Sequence, residues 1–373
     1  AGSLGVGSIV FMVVAAAAPL TVVAGTVPLG IGAGNGPAFP TTFALCSAIL
    51  LLFAVGFCAM SRHVPQAGAF YAYVERGLGR PPGLGAAFLA LVTYTTVQLA
   101  VYGYIGAVLA ELVQHWGGPA LPWWLCAIVG TLGYRHIELS GRVLGVLLIA
   151  EVAIVLVMDA VVVATGGGSV EGLSTAFLHP GEVFSGGLGI ALMFAIASFI
   201  GFEATAVFRD EARDPLRTVP RATYTALLVI GAFYTLSSWA VVSVWGDAAA
   251  VEQASADPGT MLITTITKVL GTAAGDIAEV LLVTSMFAAI LSFHNVLARY
   301  FFALGNSGAL PEACGRSHPR HTSPHIASLT QTGTALVLIA VFALAGMDPV
   351  TQVFVWMAGT ATLGVLALMA LTC

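Results

Sequence analysis

Residues 189–221 read GIALMFAIASFIGFEATAVFRDEARDPLRTVPR. The stretch opens as an apolar helix and then places Ser198, Gly201 and Glu203 within six residues, at what must be membrane depth if the helix spans. A carboxylate near a bilayer centre costs about 3 kcal/mol even on insertion scales, so an intramembrane Glu marks a functional site unless it caps or packs between neighbouring helices. Beyond it, Arg209, Asp210, Glu211, Arg213, Asp214, Arg217 and Arg221, interleaved with Pro215 and Pro220, form a charged run that belongs in water.

The rest of the chain fits that reading. Its 373 residues are 58% hydrophobic and only 8% charged, against about 25% charged in an ordinary soluble domain. There is too little charge to cover a water-facing surface, so an all-α integral membrane protein in a lipid bilayer is expected. The cysteines, Cys46, Cys58, Cys126, Cys314 and Cys373, show neither a CxxC pair nor a metal spacing, which argues against a disulfide framework and a zinc site. His318, His321 and His325 sit in a Pro-rich stretch where no helix is expected to align them. No HExxH, nucleophile motif or nucleotide loop is present, so no enzyme, metal, cofactor or nucleic-acid partner is expected. No basic n-region precedes the first apolar run, so no signal peptide is expected.

Ten apolar windows are read as spans, the fourth of them short: 8–31, 39–60, 84–114, 121–134, 142–165, 186–208, 220–245, 276–304, 326–345 and 349–372. With the N-terminus in the cytoplasm, Arg62, Arg76, Arg80, Arg135, Arg142, Arg209, Arg213, Arg217, Arg221, Arg299, Arg316 and Arg320 all fall on the inner side, and only Lys268 falls outside. That bias supports both the orientation and the helix count. The ten divide into five-helix repeats, 1–168 and 169–373. The first helix of one carries AAAAPLT at 15–21 and the first of the other AIASFIG at 195–201. Interrupted helices at corresponding places in two halves point to a transporter's central binding site.

Four stretches carry a family resemblance: SFIGFE with the charged run and TVPRA, VPQAGAFYAYVERGLGRPPG at 64–83, LSGRVLGVLLIAE at 139–151, and LARYFFALGNSGALPEACGRSHPRHTSPHIA at 297–327. Together they resemble the amino acid/polyamine/organocation superfamily of transporters over essentially the whole chain. The resemblance implies a leucine-transporter-like fold, a five-plus-five inverted repeat with helices one and six broken. It also implies permease or symport activity in the plasma membrane. Members usually have twelve helices; the ten read here correspond to the core without the last two.

The resemblance also nominates residues. In the family the first break binds a substrate carboxylate through backbone N–H groups; here the matching positions are Ala17, Ala18, Leu20 and Thr21, with Pro19 departing from the Gly-Ser/Thr-Gly pattern because it has no N–H. The sixth-helix break offers the carbonyls of Ala197, Phe199 and Ile200 and the Ser198 hydroxyl to an ammonium, with Gly201 completing the gap. Ala197 stands where a relative that carries arginine and agmatine has a stacking tryptophan, which favours a small substrate. Thr93, Tyr94 and Gln98 match pocket-facing positions of the third helix, Phe293 with Ser292 and His294 of the eighth, and Trp356 with Thr360 of the tenth; for each, bundle packing is the alternative. Glu151 stands where proton-coupled relatives place a Lys in the fifth helix, so a titratable group is kept there with the opposite charge, and Asp159 follows two turns later. Glu151 and Glu203 are the coupling candidates. The expected function is a secondary carrier of a small amino acid or amine driven by protons. Sodium coupling through oxygens such as Ser285 and Ser292, exchange of an amine or amino alcohol, and a channel remain the alternatives.

Overall fold

The computed structural model of the protein describes residues 4–61, 63–64, 69–133, 141–316 and 325–372. Arg62, Arg135, Arg320, His318, His321 and residues 65–68 lie outside the described residues, as does the side chain of Arg142. Among the described residues the fold is helical throughout, and the only extended pairing is a parallel bridge between Leu4 and Ala212. Leu4 N–H donates to the Glu211 carbonyl at 2.9 Å and Arg213 N–H to the Leu4 carbonyl at 2.9 Å.

Among the described residues eight helices are long and apolar enough to cross a membrane: Val6–Ala33, Gly36–Ser61, Arg80–His115, Val143–Thr165, Pro215–Trp245, Thr272–Asn306, His325–Leu344 and Pro349–Thr372. Two of the ten expected spans are not among these eight. The fourth is described as Trp123–Gly133, and the sixth stops as Leu188–Ala197 before a run of turns. A further short apolar helix, Met261–Leu270, was not expected as an element of its own. Boundaries follow local chemistry. Arg80–His115 has Pro in its first turn, where the missing N–H has no helical acceptor to lose. Pro215–Trp245 likewise starts on Pro215 and ends at Gly246, whose φ of 87° carries the chain out of the helix.

The chain forms two compact units, Ala1–Cys58 with Leu139–Thr205 and Glu211–Met286, and Ala59–Glu138 with Ala206–Asp210 and Phe287–Cys373. The first is centred on aromatic packing: Phe43 lies 5.3 Å from Tyr234 and Phe199 6.0 Å from Tyr234 between ring centroids. Polar ties close its loops. Asn35 Nδ2 donates to Thr42 Oγ1 at 2.9 Å and to the Val183 carbonyl at 3.1 Å.

The second unit is built on close approach at small residues. Lipid tails are as apolar as Leu, so helices in a bilayer associate through van der Waals fit, which Gly and Ala allow. A Cβ on Gly103 would lie 2.7 Å from the Pro349 carbonyl oxygen and 2.8 Å from Val353 Cγ1, and one on Gly364 would collide with Thr93. Gly85, in the same helix as Gly103, has nothing within 4 Å. Gly103→Ala is therefore expected to cost about 1–3 kcal/mol through overpacking, while Gly85→Ala is neutral or gains up to about 1 kcal/mol of helix propensity. Melting of the two purified variants checks this; equal melting temperatures would remove Gly103 as a packing point.

Candidate functional site

At the residues nominated in the first apolar helix the backbone departs from the α-helix. Val6–Ala17 ends at Ala18, with φ 46° and ψ 70°, the only non-glycine positive φ among the described residues. Such a conformation costs about 1–3 kcal/mol and persists only where the surroundings enforce it. Ala18 N–H turns back onto the Ala15 carbonyl at 3.2 Å, and Ala17 N–H lies inside the helix, so neither is an open donor. Pro19 then starts the next helical segment at its first position, where its missing N–H is one the helix would not use. Leu20 and Thr21 place their amides in that first turn, beyond the reach of any helical acceptor. A π-helical segment, Val22–Thr26, follows.

The second break lies in the 189–221 stretch. Leu188–Ala197 stops, and residues 198–203 proceed through turns with Gly201 at φ 114°. Ser198 Oγ donates to the Phe194 carbonyl at 2.9 Å. Ile200 N–H donates to the Ala197 carbonyl at 3.2 Å and Phe202 N–H to the Phe199 carbonyl at 3.2 Å. Of the expected acceptor carbonyls, Ala197 and Phe199 thus each already take an amide and Ile200 takes none of the described backbone bonds; the Ser198 carbonyl, not expected as an acceptor, takes none either. Glu203, 2% exposed, accepts the Gly201 N–H at 2.9 Å through Oε2. Its carboxylate holds the broken turn together, which is the capping role set against coupling for this residue.

Glu151 is buried and hydrogen-bonded to Ser285. Thr21 Oγ1 donates to Ser285 Oγ at 3.1 Å, so the carboxylate of the fifth helix is linked through one hydroxyl to the first break. On another side Tyr234, fully buried, donates to the Ala17 carbonyl at 3.4 Å and lies close enough to Glu151 to feel its charge. Among the described residues no Lys or Arg pairs with Glu151. Sequence reasoning missed Tyr234. Its signal was the polar set Tyr234, Ser237 and Ser238, spaced three and four apart inside an apolar span. Asp159 is also buried, and Ser237 Oγ donates to its Oδ2 at 2.8 Å.

The candidates of the second unit divide by what they touch. Tyr94 and Phe293 stack, with ring centroids 6.1 Å apart and an interplanar angle of 29°. Gln98 is instead a tie within the unit: its Nε2 donates to the Ile290 carbonyl at 3.2 Å, and its Oε1 accepts from Gln331 Nε2 at 2.6 Å. Thr93 Oγ1 donates to its own helix at Leu89, 2.8 Å away, and packs on Gly364. His294 meets Ser328 Oγ at 2.8 Å. Trp356 is 56% exposed, and its carbonyl accepts from Thr360 Oγ1 at 2.8 Å. Gln331, fully buried, was the polar residue overlooked here.

Comparison with known proteins places these features. The crystal structure of MhsT in complex with L-phenylalanine shares the fold, with a TM-score of 0.56 at 15% identity over 98% of both chains. The low-affinity putrescine importer PlaP of Escherichia coli is 22% identical over 312 residues, which cover 80% of this chain and 66% of the importer. The probable GABA permease of Pseudomonas aeruginosa is 24% identical over 347 residues, covering 86% of this chain and 70% of the permease. The serine/threonine exchanger SteT of Bacillus subtilis is 23% identical over 357 residues, covering 91% and 78%. The chain thus spans about two thirds of the length of the first relatives it matches, and these relatives are importers, permeases and exchangers rather than enzymes. A sequence profile of amino acid permeases matches residues 8–373, which takes in both helix breaks and the Glu151 cluster, and the chain belongs to the amino acid permease family.

Proposed function

We propose that the protein is a secondary transporter of a small amino acid or related amine, working by alternating access about the two helix breaks and driven by protons through Glu151. The observation that carries the proposal is the chain Thr21–Ser285–Glu151, which links a buried carboxylate to the first break. With Glu151 ionised, Ser285 accepts from Thr21 and donates to the carboxylate. A proton on Glu151 lets the same contact reverse, with Ser285 accepting from the carboxylic acid and its own hydrogen freed for another acceptor. Protonation in this way reorders the hydroxyl that Thr21 bonds at the first break. Sodium coupling would need a set of oxygens, for which Ser285 and Ser292 are the available hydroxyls; the carboxylate needs no bound ion.

The substrate reading follows from the same atoms. Leu20 and Thr21 amides suit a carboxylate at a positive helix end, and because Pro19 occupies the first helical position its missing donor weakens that site little. The Ser198 and Ile200 carbonyls suit an ammonium, which is a pure donor. Ala197 leaves no aromatic wall for a long guanidinium. The relatives named for putrescine, GABA, and serine and threonine bracket the same class of small amines and amino acids. The plasma membrane, a cytoplasmic N-terminus and inverted repeats at 1–168 and 169–373 belong to this proposal.

Four outcomes test it in proteoliposomes. Gly201→Ala has room, since the nearest atom to a new Cβ is Ala16 Cβ at 3.9 Å, but it disfavours the φ of 114° by about 1–3 kcal/mol. Uptake should fall at least tenfold while the protein still inserts and melts cooperatively, and wild-type uptake would withdraw the second break from the site. Glu151→Gln should keep counterflow exchange yet lose accumulation against a gradient; accumulation driven by a pH gradient alone in that variant would contradict the role given to Glu151. Saturation and counterflow separate a carrier from a channel in the same assay. In competition, a small neutral amino acid or amine should displace substrate far better than arginine or lysine, and the reverse order would sink the size argument.

A further inference from the structure

A cavity of about 600 Å³ lies wholly within the second unit, lined by residues that include Tyr71, Glu75, Arg80, Leu84, Ala87 and Tyr300. None of these was assigned to transport. The cavity sits where Ala69–Leu78 hands over to Arg80–His115, at a membrane boundary, because Arg80 and Pro81 open a span that is apolar from Leu84 onward. Its volume falls in the range of small-ligand sites, about 300–1,000 Å³.

Its charges are the unusual part. Glu75 and Arg80 both line the space and both are exposed, yet no ion pair joins them among the described residues. Arg80 is steadied instead by the Ser307 carbonyl, 3.4 Å from one terminal nitrogen, which leaves most of its five donors unused. Glu75 is fixed by its own backbone: its Cα and Cβ press on Gly83, where any side chain would collide, and Gly79 N–H donates to its carbonyl at 3.0 Å. Tyr71 and Tyr300 form an edge-on aromatic wall, with centroids 5.5 Å apart. Burial first, and the Glu75 carboxylate second, hold the Tyr71 hydroxyl above the ordinary phenol range, so at neutral pH it stays a donor beside that carboxylate. A lone anion in the cavity would face Glu75 and a lone cation would face Arg80. A ligand carrying both charges satisfies both residues and can lay an apolar portion on Leu84 and Ala87.

We infer that this cavity is a second binding site, for a zwitterion that carries a primary ammonium beside an anionic group: ammonium on Glu75, anion on Arg80. Two sources offer that chemistry, the headgroup of an ethanolamine phospholipid and a free amino acid. The site goes beyond the transport reading and does not depend on it.

The test uses delipidated, purified protein, with melting temperature and native mass spectrometry as readouts. One arm dopes the micelles with phosphatidylethanolamine, phosphatidylcholine or phosphatidylglycerol; the other adds free leucine or phosphoethanolamine. The ethanolamine lipid should bind at least tenfold more tightly than the other two, because choline has no N–H for Glu75 and glycerol no cation. If the site draws from solution, the soluble zwitterions give the signal instead. In either case Glu75→Gln and Arg80→Gln should each weaken binding about tenfold, and Leu84→Phe, which narrows the cavity without touching a charge, should do the same if a charge variant folds poorly. Dependence on Glu75 and Arg80 assigns the signal to this cavity whether or not Gly201→Ala abolishes transport. Equal binding of the ethanolamine and glycerol lipids with no signal from the soluble zwitterions, undiminished binding in all three variants, or no zwitterion bound in either arm would overturn the inference.

Discussion

Hydrocarbon offers no hydrogen bonds, so a backbone can leave the helix at membrane depth only where the protein itself replaces the lost partners. Both interruptions in this chain obey that constraint by different means. At Ala18 the backbone closes a tight turn on Ala15, and Pro19 restarts the helix where no donor is needed. At Gly201 a carboxylate does the work, since Glu203 takes the amide that the turn exposes. The buried acid that looks most expensive in sequence is thus part of what makes the break sustainable.

The other buried acids are supported more lightly. Glu151 rests on the Ser285 hydroxyl, and Asp159 on the Ser237 hydroxyl. A hydroxyl can serve a carboxylate as donor and a carboxylic acid as acceptor, so such contacts tolerate both protonation states in a way that an Arg partner would not. Glu203 differs in accepting a backbone amide, which can only donate.

Much of this was legible in the sequence, and the reasons for what was not are physical. Apolar length gave the spans, because hydropathy and a fixed bilayer thickness leave little choice. The Leu188–Ala197 helix is shorter than its 186–208 window, because apolar composition continues through residues 198–203, where the backbone turns about Gly201. The resemblance nominated Thr93 and Gln98 as pocket-facing, yet a matched position does not say which neighbour a side chain meets. Gln98 meets Gln331 and a helix carbonyl, and Thr93 meets Gly364. Tyr234 escaped notice because an aromatic residue in an apolar span reads as packing until its hydroxyl is seen on the Ala17 carbonyl. Long-range partners of this kind are absent from any local pattern.

The small parallel bridge at Leu4 has a mechanical meaning. Its two hydrogen bonds grip Leu4 from Glu211 on one side and Arg213 on the other, a pair of rivets rather than a hinge. The segment that leads into Val6–Ala17 and the segment that leads out of the second break are therefore yoked, backbone to backbone, two residues before the first helix begins. A tilt of that helix must drag the 211–213 strap with it, and a pull on the strap must reach Ala18 through three turns of stiff helix. Two breaks separated by some 180 residues of chain are thereby given a common handle.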